Sequence, residues 1–408
     1  MKRKFITLVF SICALAYSAK AQENLNGKLQ VNGFIQTEFE WVQWEGKSNN
    51  GSPQVYDPER DMADNDYFIR YGVRRGGIRL AYNQEKVQGI FELDLNDGGL
   101  YPKAAIINYR PWDFMEINAG LQTVWFGEEV SYPTPKQEVL EHCDLLRNLF
   151  FLDRDIGIKI TLNSPKNWAI NGLGLDLGFV SGNNINKVSD GRLNFVGHLK
   201  YKKTVNDIYF GIGTSVFAGK VHNMFKQIAH VANAYAIPSP YDKVITDEQN
   251  VSRTYFGIDA QLKFHTSLLG TTEIKTEYIW GTHPSQQNSF RSPNNNEYSQ
   301  NPEDMFCFAR HFSGGYVYLF QDIKNLPVRL LAKYTFMNPD NDVSSEEKLY
   351  AADVNYQTIG FGCEWNITKG LRLTGIYNMN INEKCATLPL YSYDRKDNHF
   401  TLRLQYEF

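Results

Sequence analysis

The chain has 408 residues, 21% of them charged and 42% hydrophobic, with a formal net charge of −3. A weakly acidic balance excludes the basic surface that a nucleic-acid partner requires. No segment beyond the N-terminus offers the roughly 18 uncharged apolar residues of a helical membrane span, so any membrane role falls to a β-barrel.

Lys2, Arg3 and Lys4 precede an apolar run from Phe5 to Tyr17, and Ala19-Lys20-Ala21 then stands before Gln22. This order of basic, apolar and small residues predicts a secretory signal peptide over 1–21 and a mature barrel domain over 22–408. Its removal takes four positive charges and no acid, moving the formal charge from −3 to −7. Cys13 lies within the apolar run, far upstream of the cleavage pattern, and makes a weak case for a lipoprotein. Cys143, Cys307, Cys363 and Cys385 remain, without metal-type C-x-x-C spacing. Either Cys307 and Cys385 form a bridge, or all four act as small apolar residues.

Period-two alternation marks strands near 28–43, 67–82, 86–95, 103–110, 113–122, 154–163, 168–180 and 191–202. A second series follows near 206–218, 252–264, 271–281, 306–320, 327–338, 355–366, 370–380 and 399–408. The last is the clearest: Phe400, Leu402, Leu404, Tyr406 and Phe408 alternate with Thr401, Arg403, Gln405 and Glu407. Short connections, including 83–85, 111–112 and 203–205, alternate with long polar ones near 44–66, 123–153, 219–251, 282–305, 339–354 and 381–398. Two chemically different ends account for that alternation. The expected fold is all-β, a transmembrane antiparallel up-and-down barrel of about 16 strands, with both termini periplasmic.

An outward apolar face leaves Lys159, Lys200, Lys263, Lys275, Arg329, Lys333, Arg372 and Arg403 lining the lumen, with acids such as Glu92, Asp94, Glu116, Asp259, Glu273 and Glu277 between them. A barrel of this size holds water, and a wall of mixed sign gives no global ion preference. Selectivity then belongs to the narrowest point, for which two segments compete. In strand 67–82 a bulge at Gly76-Gly77 would switch facing parity and aim Arg70, Arg74 and Arg79 inward, either as an anion-gripping ladder or as partners of neighbouring acids. The connection 123–153, with Val139, Leu140, Leu145, Leu146, Leu149, Phe150 and Phe151, suits an infolded loop with a short helix within 137–149.

Val73 to Leu80, Gly89 to Asp94, Ala104 to Tyr109, Ile117 to Gln122 continuing through Phe126-Gly127-Glu128-Glu129, and Arg154-Asp155-Ile156-Gly157 resemble the phosphate-selective porin O and P family. The resemblance implies a trimeric 16-stranded outer-membrane channel with an infolded third loop. It places Arg74 and Arg75 at the constriction, Asp94 as their acidic partner, and Thr123, Glu128, Glu129 and Arg154 around them. Where the family commonly has Lys and Pro, this chain has Thr123 and Trp125, which removes a cation from the implied phosphate site.

No G-x-S-x-G or H-E-x-x-H accompanies the histidines, so no catalytic residue, metal or cofactor is expected. Asp57, Glu59, Asp61, Asp64 and Asp66 crowd the first long loop but fail the EF-hand template. The expected partners are outer-membrane lipid, small hydrophilic solutes or anions, and further copies in a homotrimer. A non-conducting barrel, using its long loops for adhesion or docking, is the competing expectation.

Overall fold

The computed structural model describes residues 27–46, 67–96, 99–182, 184–185, 192–222, 228–230, 250–285, 289–291, 307–348 and 350–408. The segment 1–21, the acidic cluster 57–66 and most of 219–251 lie outside them.

The strands in chain order are β1 (Lys28–Gln43), β2 (Tyr67–Gln84), β3 (Val87–Asn96), β4 (Gly99–Trp112), β5 (Met115–Thr123), β6 (Arg154–Asn163), β7 (Leu173–Val180), β8 (Asn194–Val205) and β9 (Ile208–His222). There follow β10 (Ile228–His230), β11 (Asn250–Thr266), β12 (Gly270–Ser285), β13 (Cys307–Asp322), β14 (Val328–Asn338), β15 (Tyr356–Thr368), β16 (Leu371–Asn382) and β17 (His399–Glu407). Each pairs antiparallel with its neighbour except the short β10, which runs parallel to the first residues of β13. The remaining sixteen form a closed barrel. Its seam runs from Phe34 opposite Glu407 to Val42 opposite His399. Gly33 and Phe408 extend it by exchanging backbone hydrogen bonds of 2.9 and 3.0 Å.

The alternation sets the two faces of this wall. On β17, Thr401, Arg403 and Gln405 are buried in the interior, while Leu404, Tyr406 and Phe408 are exposed outside. On β11, Phe256, Ile258 and Leu262 face out, and Tyr255, Asp259 and Gln261 face in. No described helix is long and apolar enough to cross a membrane. The start of β1 and the C-terminal Phe408 lie with the tight turns, since Lys28 pairs with Asn83 beside the β2–β3 turn and Phe408 with Gly33.

The connections depart from strict alternation. β3 ends at Asn96 and β4 starts at Gly99, so one connection on the long-loop end spans only residues 97–98. Between β8 and β9 the turn is Asn206-Asp207, with φ of 48° and 65°, rather than 203–205. Asn and Asp tolerate that left-handed pair, which matches strand twist in a two-residue hairpin, so Lys203 to Val205 stay in the ladder.

If the outer apolar face sits in hydrocarbon, placing a charge at its mid-height is costly. Ile258→Arg is expected to lower unfolding free energy by about 2–4 kcal/mol, measured by denaturant titration in lipid vesicles.

Candidate functional site

The connection 124–153 folds into the barrel and packs against its inner wall. Val124, Phe126, Val139, Leu145, Leu146, Leu149 and Phe150 form one buried cluster with inward wall residues, including Phe217, Tyr255, Ile279, Phe312, Tyr316, Tyr318 and Phe320. The inward face of β13 is therefore aromatic, which its sequence hides because both faces are apolar. The approach is close: at Gly127 (φ +63°) a Cβ would stand 1.8 Å from Glu277 Oε1, so only glycine fits.

Helical structure in the loop is confined to α1 (Asp144–Leu149) and a single 3-10 turn at Thr134–Lys136. The short helix expected within 137–149 thus occupies Asp144–Leu149, and carbonyls of the stretch before it bond to the wall. Arg372 Nη2 donates to Pro135 O and Gln137 O at 2.8 and 3.0 Å, and Arg403 Nη1 donates to Leu140 O at 2.6 Å.

Glu141 is the hub of the charged contacts. Arg74 donates to it twice, from Nε and Nη2, both at 2.9 Å; Arg403 Nη2 reaches it at 2.6 Å and Arg75 Nη2 at 3.4 Å. Arg74 and Arg75 both face inward because Arg74 is itself the bulge residue: Gln36 opposes Arg75 and Thr37 opposes Val73. The bulge thus lies two residues before the glycine pair, where the extra residue can still give its side chain to Glu141. Burial pushes the Glu141 carboxyl up, but Arg74, Arg403 and Arg75 outweigh it and hold the group well below its ordinary range. Three cations against one carboxylate leave a local positive surplus, partly met by Glu38, which accepts from Arg403 at 2.8 Å.

The remaining expected site residues divide between this hub and the wall. Arg70 pairs with Glu40 at 3.2 Å, and the half-exposed Arg79 with Glu92 at 3.8 Å. Asp94 is not the hydrogen-bonded partner of the arginine pair; it joins Lys103 at 3.3 Å, and Lys103 also reaches Thr134 on the loop. Lys202 clasps both Glu128 oxygens at 2.7 Å. Glu129 Oε1 accepts from Tyr318 at 3.0 Å and from the Cys143 amide at 3.1 Å. Thr123 and Arg154 are opposite each other where the loop leaves and rejoins the wall.

Of the lumen set, Lys275 and Arg329 both hold Glu138 of the loop, Arg329 at 2.7 Å. Lys200 pairs with Asp176 at 2.5 Å and Lys263 with Glu273 at 3.4 Å. Lys159 lies 6.0 Å from the Trp125 ring centre. Glu138 and Glu141 were not singled out by sequence, since nothing local distinguishes a loop carboxylate that docks from one in water. Cys143, Cys363 and Cys385 are free thiols, Cys363 on the outer face; the side chain of Cys307 lies outside the described residues.

His142 is wedged between carboxylates, 3.4 Å from Glu129 and 3.9 Å from Asp153. Burial opposes its charge, yet Asp153 and Glu129 raise its pKa from 6.5 to about 9.

No family model and no curated protein matches the chain. Solved structures match its fold over almost its whole length. The outer membrane channel DcaP of Acinetobacter baumannii is 13% identical with a TM-score of 0.54, covering 94% of this chain and 97% of that one. A loop-L8 deletion mutant of OmpT, an outer membrane protein of Vibrio cholerae, is 14% identical with a TM-score of 0.51 over 94% and 99%. An anion-selective porin from Comamonas acidovorans is 12% identical with a TM-score of 0.51 over 94% and 100%. At these identities the likeness is one of fold.

Two predictions test the loop docking. Glu141→Gln, which leaves three buried arginines without their shared anion, should weaken docking by about 3–5 kcal/mol, read as faster hydrogen exchange across 134–150. The second concerns pH. His142 has a raised folded pKa, so its contribution is complete below pH 6.5 and is lost as pH climbs through about 9. The depressed Glu141 carboxyl contributes above pH 4.5 and loses its share only under more acid conditions. Exchange in the loop should therefore accelerate between pH 6.5 and 9, after correction for intrinsic rates, and His142→Gln should remove that rise.

Proposed function

We propose that this chain is an outer-membrane porin, a passive channel for small hydrophilic solutes with a bias toward anions. The observation that carries the reading is a closed wall, apolar outside and charged within, with a loop folded across its bore. An apolar girdle suits lipid, and ionised lumen residues such as Lys200, Lys263 and Asp176 suit water. The anion bias rests on the surplus of Arg74, Arg75 and Arg403 over Glu141, an arrangement that attracts anions passing the loop. Phosphate as the solute draws on the family resemblance of residues 73–80 and 89–94, weakened by Thr123 and Trp125. We place the short turns and both termini on the periplasmic side and take the working unit as a homotrimer. No step of the reading calls for catalysis.

One observation favours the second reading, a non-conducting barrel that serves adhesion or docking. The infolded loop bonds to wall residues on β2, β4, β8, β12, β14, β16 and β17, an arrangement suited to a plug. Planar-bilayer recording separates the two. Stepwise conductance, with cation-over-anion permeability rising in an Arg74→Gln/Arg75→Gln variant, is the porin outcome. Absence of steps from protein that migrates as a folded barrel establishes the plug.

A further inference from the structure

Between α1 and the inner faces of β14 to β17 lies a polar cavity of about 40 Å³. A cavity holds a water for each ~10–15 Å³, so this one admits roughly three. Its charges are matched by partners with one exception. Glu141 is held by three arginines, and Asp144 and Arg147 pair with each other at 3.6 Å. His142 has Glu129 and Asp153. Lys333, on the inward face of β14, has no hydrogen bond and no ion pair among the described residues.

A half-buried ammonium with no bonded counter-ion is costly: Asp144 and Glu129 act on it from beyond ion-pair distance, and the wall beside it supplies no carboxylate. Thr335, two residues along the same face, is 5% exposed and its hydroxyl has no partner among the described residues. Thr358, Ile376, Asn378, Asn380, His399 and Thr401 complete the lining on that side. The nearest internal competitor for the ammonium is Asn378 Oδ1, a buried acceptor with no hydrogen bond. Both it and Lys333 Cε would lie 2.7 Å from a Cβ at Gly360, so the two are neighbours.

We infer that this cavity is a binding site for a small inorganic anion, seated on the Lys333 ammonium and the Thr335 hydroxyl. It is separate from the arginine hub, whose anion is the protein's own Glu141. The site gives Lys333 a bonded counter-ion that the described residues do not supply. Its occupancy is independent of whether the bore conducts.

The test uses the full-length protein purified in detergent, with bromide as the probe and gluconate, too large for the cavity, as the background anion. Anomalous diffraction from bromide-soaked crystals should place an ion within hydrogen-bond reach of Lys333 Nζ and Thr335 Oγ1. Calorimetric titration should show saturable binding that Lys333→Met abolishes and that Thr335→Val weakens roughly tenfold, the size of one hydrogen bond to a charged group. If Lys333→Met does not fold, the Thr335→Val result decides. No bromide at Lys333 in the wild type, or unchanged binding in both variants, overturns the site and leaves Lys333 to Asn378. Because the readout is binding, absent conductance with bromide bound would fail the porin reading alone.

Discussion

Backbone N–H and C=O groups in hydrocarbon have no water to turn to, so a sheet placed there must have no edge. The pairing of β1 with β17 meets that constraint, and the rest of the molecule follows from it. Once the sheet is closed, period-two alternation becomes a division between outside and inside. Ile258 then belongs to the apolar girdle while its neighbour Asp259 binds His198 at 3.1 Å across the inner wall. The same side chains in an open sheet would define no lumen for a loop to enter.

What occupies that lumen is held by two kinds of force. On one side the loop presents Leu145, Leu146, Leu149 and Phe150 to an aromatic wall, and removal of apolar surface from water drives the contact. On the other, wall cations capture loop acids and carbonyls, with Arg74, Arg75 and Arg403 on Glu141 and Arg329 on Glu138. Buried charge pairs add little net stability compared with apolar packing, but they are exacting about geometry. The apolar half thus holds the loop in place, and the charged half determines which residues face the remaining space.

Much of this was legible because a barrel writes its rules locally. The strand at 28–43 begins and ends where its alternation does, and so does that at 154–163. The inward lysines and arginines were assigned by parity alone. Legibility failed where partners come from distant sequence. The bulge lies at Arg74 instead of Gly76-Gly77 because Gln36 and Thr37 of β1 set the register, and residues 137–143 form a non-helical stretch whose Gln137 and Leu140 carbonyls accept from Arg372 and Arg403. On β13 the inward Tyr316, Tyr318 and Phe320 match the apolar loop, yet in sequence they blur the strand's two faces.

The sequence by itself determined most of the strands, the facing of those with one apolar face, and the closing strand, since each is a matter of spacing along one chain. Only the tertiary structure decided which carboxylate meets the arginines, which strands the loop packs on, and that Lys333 has no hydrogen bond or ion pair among the described residues. Those are pairings between residues far apart in the chain. Periodicity states which way a side chain points, and only closure of the barrel states what stands opposite it.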